Sequence, residues 1–316
     1  MSSFLLEPLV SRLGRSAARL RDRRRSFRHE LAVCAIFKDE ARYLEEWLTF
    51  HVGVGVEHFY LYDDASSDAY RDVLEPWLRR GLVTLTAWHG RRQRAAYNDC
   101  IKRHRMQARW IAFIDLDEFL FCPTDEDLRS VLRSYRDVAS IFVYWVLFGS
   151  SGHAERPDGP VVEAYTRCLD PEAAIADDFD HADVPGKADY VSGWSQDGKS
   201  IVNPRLVRSY NIHKPKRLWV GEPLDENRER PRVRGEAVKL SQTRLRINHY
   251  WSKSIRDLTD KVARGSVCDP KRPPRKLARW LEREAMLNRS RDETIRPIWR
   301  RISSGAGGQS PVHEES

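Results

Sequence analysis

Between residues 31 and 148 the chain sets down apolar runs at a steady interval. LAVCAIF (31–37), HFYLY (58–62), LVTLTAW (82–88) and WIAFIDL (110–116) recur about every 26 residues. Each is apolar throughout, not alternating, and rich in β-branched and aromatic residues, as in strands covered on both faces. Between them lie stretches with helical spacing, YLEEWLTFHVG and Asp68 to Arg80. That alternation predicts βαβ units and an α/β fold with a mainly parallel, Rossmann-like sheet flanked by helices. A further strand, ASIFVYWVLF (139–148), follows the helix-like DEDLRSVLRSYRD.

Sheets of this kind bind ligands outside the carboxyl ends of their strands. Here those ends carry polar clusters: KDE (38–40), DD (63–64), DLDE (115–118) and FGSSGH (148–153). Four clusters on one rim make a cleft. From about 155 to 245 Pro, Gly and Asp are frequent and apolar pieces are short. That half predicts a smaller antiparallel and loop-rich part over the cleft. PEAAIADDFDHADVP (171–185) reads as a local insertion. LRINHYWSKS (245–254) leads into helical patterns through about residue 302, and ISSGAGGQSPVHEES reads as a disordered tail. The expected organisation is a leader at 1–30, an α/β domain at 31–265, a basic helical segment at 266–302 and a tail at 303–316.

Charge changes the picture at the ends. Residues 1–30 carry eight Arg against three acids and residues 271–302 eleven Lys/Arg against four, so the body between them is near neutral. No RNA or DNA module accompanies the Arg runs, which argues against nucleic acid as a partner. Phe4, Leu5, Leu9, Leu13, Ala17 and Leu20 fall near helical spacing among these arginines. The leader therefore reads equally as a solvated stretch or as a basic amphipathic helix on a membrane surface. No apolar run approaches the ~20 residues of a membrane span. SFLLEPLV, interrupted by Glu7 and Pro8, makes a poor signal-peptide core. Five scattered cysteines without a CxxC pair argue against a disulfide framework or a structural zinc and suit a reducing compartment. The expected location is cytoplasmic, peripheral at the inner face of the membrane if the leader binds lipid.

The sharpest chemical feature is the DLDE. Asp115, Asp117 and Glu118 end a buried strand, and three carboxylates there cost free energy unless a cation meets them. A divalent ion, Mn²⁺ or Mg²⁺, is the common solution, with a phosphate ester as its passenger. A phosphoaspartyl enzyme would place Thr two residues after the second Asp, where this chain has Phe119. The plain alternative is a helix N-cap cluster, but the following helix begins nearer Thr124. Asp63 and Asp64 suit a ribose or uracil edge, with Ser67 or Asp68 capping the next helix. Lys38 and Glu40 hold the matching place after the first strand. His249, in NHYWSKS, suits the ligand position that two carboxylates leave open, and Lys253 suits a phosphate. Lys199 and His213 are weaker candidates of the same kind.

The ordered motifs KDEARYLEEWLTFHVGVGVEHFYLYDDASSD, WIAFIDLDEF, VYWVLFGSSGH, GKSIVNP and INHYWSKS resemble glycosyltransferase family 92 over about residues 31–265. The resemblance implies a GT-A type fold, related to family 2 transferases, and an inverting mechanism. It implies transfer of a hexose, galactose favoured, from a UDP-sugar to a glycan or glycolipid hydroxyl. It also implies that Asp115 and Asp117 form the metal and donor-phosphate pair. Lys38, Glu40 and Asp64 would line the nucleotide pocket, with His249 a metal or diphosphate contact and Lys253 nearby. Animal members are usually membrane-anchored, and no anchor helix is legible here. An inverting transferase needs a carboxylate base opposite the diphosphate. Asp197, Glu222 and Asp225 fall in the part expected over the cleft and Glu163 follows FGSSGH. Nothing in the sequence chooses among them, and Asp197 and Glu222 are carried forward as base candidates. The competing readings are a catalytically silent nucleotide- or carbohydrate-binding module on the same fold and a metal-dependent phosphotransferase.

Overall fold

The first apolar run forms β1 (His29–Phe37) because its alternate side chains find apolar cover on both faces. Leu31, Val33, Ala35 and Phe37 share one core layer with Trp47 and Leu48 of α1 (Ala41–Gly53) and Leu74 and Trp77 of α2 (Tyr70–Arg79). Ala32, Cys34 and Ile36 face Ala96, Tyr97, Cys100 and Ile101 of α3 (Gln93–His104). The computed structural model describes residues 26–90, 92–169, 197–231, 241–264 and 277–306. Most of the expected leader and the 171–185 stretch lie outside these residues.

β1 pairs in parallel with β2 (His58–Asp63) and β4 (Ala108–Phe113), and β2 with β3 (Val83–Ala87), giving the order β3-β2-β1-β4. The chain thus steps outward from β1 and then returns to its other side. The reversal lies between β1 and β4, where a doubly wound sheet opens a ligand crevice. Beyond β4 the sheet continues through an antiparallel strand, β8 (Gly198–Val202), to β6 (Ser140–Phe148), which pairs in parallel with β12 (Arg246–Tyr250). The mainly parallel, helix-flanked α/β sheet matches the sequence pattern, and the antiparallel β8 falls in the expected second half. There β9 (Val207–Tyr210) and β10 (Pro215–Leu218) form a separate hairpin. Asn98 of α3 holds it, donating to the Tyr210 carbonyl at 2.9 Å and accepting the Tyr210 N–H at 2.9 Å.

WIAFIDLDEFLF is not one strand. It breaks after β4 into a turn closed by Glu118 N–H to Asp115 carbonyl (3.1 Å), and resumes as β5 (Glu118–Phe121), antiparallel to β12. The outer edge of β5 is covered by a helix. Trp47 Nε1 donates to the Glu118 carbonyl at 2.8 Å, and His51 Nε2 accepts the Leu120 N–H at 3.2 Å. Nδ1 of His51 must then carry the proton it shares with the Trp47 carbonyl, 2.8 Å away. Two polar side chains one helical turn apart thus satisfy an edge that would otherwise lie open.

Local expectations shift in three places. The helix after DLDE is α4 (Leu128–Arg133), capped by Asp127, whose carboxylate accepts the Arg129 N–H, so it starts later than Thr124. Asp68 caps not the next helix but α1, accepting the Ala41 N–H at 2.7 Å. The C-terminal helices belong to the body. After α5 (Val161–Ala164) and β7 (Arg167–Cys168), the chain adds β11 (Pro223–Leu224), α6 (Ile255–Arg264), α7 (Leu277–Met286) and β13 (Ser290–Arg291), which pairs with β7. α8 (Arg296–Ala306) runs into the stretch expected as tail and sets Ile302 against Gly53 of α1. Among the described residues no helix is long and apolar enough to cross a membrane.

Two stability effects follow. A Cβ at Gly198 would run into the Val143 carbonyl of the paired strand, so Gly198→Ala should cost about 1–3 kcal/mol in urea unfolding, against near-neutral change at an open site. Burial of His51 lowers its pKa to about 3, against the partial opposing pull of the Trp47 carbonyl. Its stabilising contribution is then complete above the unfolded value near 6.5 and is lost as pH falls toward 3. The loss of stability between pH 7 and pH 5 should be smaller by about 2 kcal/mol in His51→Gln, which has no titrating ring, while His58, lowered by burial to about 4, contributes to both proteins.

Candidate functional site

The β4–β5 turn delivers Asp115, Asp117 and Glu118 to the carboxyl edge next to the β1–β4 crevice, and the rest of the chain answers them with cations. Asp115 Oδ2 accepts from Lys199 of β8 at 2.8 Å, while its Oδ1 accepts from Gln93 Nε2 at 2.5 Å and the Tyr97 hydroxyl at 2.9 Å. Lys199 is itself buried, and although burial favours its neutral form, Asp115 and Glu118 outweigh that and raise its pKa. Asp117 Oδ2 accepts from Lys261 of α6 at 2.7 Å, and its Oδ1 lies 3.5 Å from His249 Nε2. Burial alone would raise the Asp117 carboxyl; the Lys261 ammonium, then His249, hold it well below the usual carboxylate range.

Glu118 stands behind them, fully buried at the start of β5. Its Oε2 accepts the Asp115 N–H at 3.0 Å. Oε1 lies 3.8 Å from Lys199 and 3.9 Å from His249 Nδ1, and neither it nor His249 Nδ1 has a hydrogen-bond partner among the described residues. Burial pushes the Glu118 carboxyl well up, against the pull of Lys199. Strand pairing sets the contact, since His249 sits opposite Glu118 in the β5–β12 register.

The ligand atoms of Asp117, Glu118 and His249 all lie within 4.8 Å of one another. Two carboxylates and an imidazole suit Mn²⁺ or Mg²⁺, and the two buried, unpartnered ligand atoms are those a bound cation would satisfy. The grouping differs from the sequence-derived set of Asp115, Asp117 and His249. Asp115 is taken up by Lys199, Gln93 and Tyr97, and Glu118 stands in the group instead.

Asp117 also lines an open cleft of about 450 Å³ between the β1–α1 loop and α6. Its wall carries Lys253, Lys261 and Arg264. Lys253 Nζ lies over the Tyr43 ring and 3.2 Å from Glu40, and Arg264 donates to Glu40 at 3.0 Å and to the Lys38 carbonyl. Ser254 and Asp257 cap α6 reciprocally, through Asp257 N–H to Ser254 Oγ at 3.0 Å and Ser254 Oγ to Asp257 at 2.6 Å, which fixes the face carrying Lys261 and Arg264. Those two cations escaped the sequence reading. Their spacing of three on an amphipathic helix was the available signal, but it equally describes a solvated face.

Other candidates take structural roles. Asp63 Oδ1 accepts the Ser66 N–H at 2.8 Å and Oδ2 the Tyr70 hydroxyl at 2.6 Å, so turn chemistry claims it. Lys38 donates to the carbonyls of Asp64 (3.2 Å) and Ala65 (3.0 Å), tying the β1 and β2 rims together. Asp64 is buried at that rim, its N–H bonded to the Phe37 carbonyl.

The four candidate bases separate clearly. Glu222 pairs with Arg230 at 2.6 Å, next to β11, which pairs with β6 at Ser140 and Ile141. That is seven residues from Leu147 opposite His249, about 23 Å along the strand, so Glu222 stands at the wrong end of β6. Asp225 accepts the N–H groups of Asn227 and Glu229 in its own turn. Glu163 is held by Arg296 and Arg300 of α8. Asp197 remains, its carboxylate 3.2 Å from His213 Nδ1. The Trp145 ring lies between, 5.2 Å from the His213 ring and 4.5 Å from that of His249.

Known proteins bear on this arrangement. A glycosyltransferase family 92 protein of Oryza sativa subsp. japonica, Os08g0121900, is 34% identical over 143 residues, 44% of this chain and 24% of that protein. The galactan beta-1,4-galactosyltransferase GALS1 of Arabidopsis thaliana is 34% identical over 218 residues, 66% of this chain and 38% of that protein. The chain thus spans about a quarter to two-fifths of the length of these relatives. The solved S. aureus TarS 1-349 with UDP superposes over 90% of this chain and 73% of that one at 11% identity, with a TM-score of 0.35, too loose to carry function. The model of glycosyltransferase family 92 matches residues 29–298, and the chain belongs to that family.

Proposed function

We propose that the protein is a metal-dependent, inverting glycosyltransferase that moves a hexose, galactose favoured, from a UDP-sugar to a hydroxyl of a glycan or glycolipid. The observation that carries this reading is the placing of Asp117. It belongs both to the group with Glu118 and His249 and to the wall of the cleft with Lys253, Lys261 and Arg264. Family membership and the galactosyltransferase named among its relatives support the reaction type and the sugar.

Asp117, Glu118 and His249 would hold Mn²⁺ or Mg²⁺. A divalent ion there would supply Lewis-acid stabilisation to the departing diphosphate. Lys253, Lys261 and Arg264 meet the diphosphate oxygens as point charges and a planar fork. Asp115, locked by Lys199, Gln93 and Tyr97, keeps the turn rigid and its backbone in place. Lys38 and Asp64 shape the rim on the nucleotide side. Asp197 takes the proton of the acceptor hydroxyl as that oxygen bonds to the anomeric carbon. The bond from that carbon to the diphosphate oxygen breaks with its electron pair, and UDP leaves from the opposite face. Contact of the basic N-terminal stretch with a membrane surface in the cytoplasm belongs to the same reading.

Thermal unfolding tests it. UDP with Mn²⁺ should raise the melting temperature, by an amount equivalent to about 2.7 kcal/mol at a hundredfold excess over Kd, while UDP in chelator moves it far less. Equal shifts with and without metal would sink the metal assignment. UDP-galactose hydrolysis should fall by about 10²-fold or more in Asp117→Ala, a loss on the scale of removing a transition-state contact. Donor binding without turnover in the unmutated chain would mark a silent binding module instead. Asp197→Asn should lower transfer while leaving the Mn²⁺–UDP shift intact, whereas Glu222→Gln leaves both unchanged.

A further inference from the structure

We infer that the β9–β10 hairpin is the docking surface for an acidic glycan, which makes the acceptor of the proposed transfer a polyanion. The inference rests on the transferase reading for the word acceptor, and on the hairpin alone for the binding.

From Arg205 to Gly221 the chain holds five Lys/Arg and no acid. Arg205 is used internally, donating to the Ala108 carbonyl at 2.7 Å and the Arg109 carbonyl at 3.2 Å. Arg208, Lys214, Lys216 and Arg217 are exposed and make no ion pair among the described residues, although acids are plentiful elsewhere on the surface. Trp219 adds a ring that is 57% exposed, with the Arg208 guanidinium 5.0 Å from its centroid. The hairpin buries Val207, Tyr210 and Pro215 and leaves Arg208, Lys216 and Arg217 exposed, with the pairing irregular on both sides of Arg217. A cation-flanked aromatic face suits a sugar ring that stacks while its carboxylates meet the guanidinium and ammonium groups.

The hairpin also stands where an acceptor would arrive. Its turn carries His213, which contacts Asp197 at 3.2 Å, and six residues, at most about 20 Å of strand, separate His213 from Trp219. An extended glycan lying along the hairpin would reach the Asp197 side of the Trp145 ring. A bilayer fits the same surface poorly. Among the described residues the exposed large apolar side chains are Met106, Trp219 and Leu281, so the hairpin offers one ring and no contiguous apolar face to insert.

The test is binding of the whole chain, by calorimetry, to polygalacturonate and to a neutral β-galactan of similar length. Polygalacturonate should bind the more tightly, and less so as salt is raised. Trp219→Ala, and separately Lys216→Ala with Arg217→Ala, should each weaken it about tenfold, roughly 1.4 kcal/mol. The melting temperature and its shift with UDP and Mn²⁺ should stay as they are. Equal binding of neutral and acidic glycan, or indifference to these substitutions, overturns the inference. So does tighter binding to phosphatidylglycerol vesicles or to a single-stranded oligonucleotide, which would reassign the surface to lipid or nucleic acid. Loss of the UDP–Mn²⁺ response with polygalacturonate binding intact would instead overturn the transferase reading and leave a glycan-binding protein.

Discussion

Three carboxylates within four residues are the constraint around which this structure is arranged. Asp115, Asp117 and Glu118 lie at one turn, and in a partly buried turn their mutual repulsion has to be met from elsewhere. The chain meets it with groups drawn from three later elements: Lys199 from β8, His249 from β12 and Lys261 from α6. Each also does topological work. β8 joins the parallel strands to β6, β12 pairs with β5, and α6 walls the cleft. Neutralising the turn and closing the second half of the fold are therefore one requirement.

The division within the DLDE follows from this. Asp115 is satisfied completely by protein donors, while Asp117 and Glu118 share an environment with unpartnered ligand atoms. A buried carboxylate whose Oε1 has no donor is costly unless it stays protonated or meets a cation, and the raised pKa of Glu118 expresses that choice. The proposed function takes the second option.

Much of the sheet was legible because β1, β2, β4 and β6 are apolar on both faces, a pattern that local sequence records directly. β5 was hidden because WIAFIDLDEFLF has the composition of one strand; only pairing with β12, more than a hundred residues on, separates it from β4. The surroundings of Glu118 were hidden for the same reason. Its neighbours Lys199 and His249 are remote in sequence, and a buried acid has no local signature. Asp63 was ambiguous for a different reason, since a strand-end Asp looks alike whether it faces a ligand or closes its own turn with Ser66 and Tyr70. Among the candidate bases, Glu222 and Asp197 were equivalent in the sequence, and only the direction of β6 told them apart.

The pairing of Lys261 with Asp117 spans 144 residues. On a ribosome adding about 5–20 residues per second, the acidic turn emerges on the order of ten seconds before its last counter-charge. Through that interval the parallel strands can form their local contacts while the turn stays solvated and negative. The nascent chain thus matures from a repelling loop to a closed site only as β12 and α6 arrive. Synthesis order itself delays the site until the walls that enclose it exist.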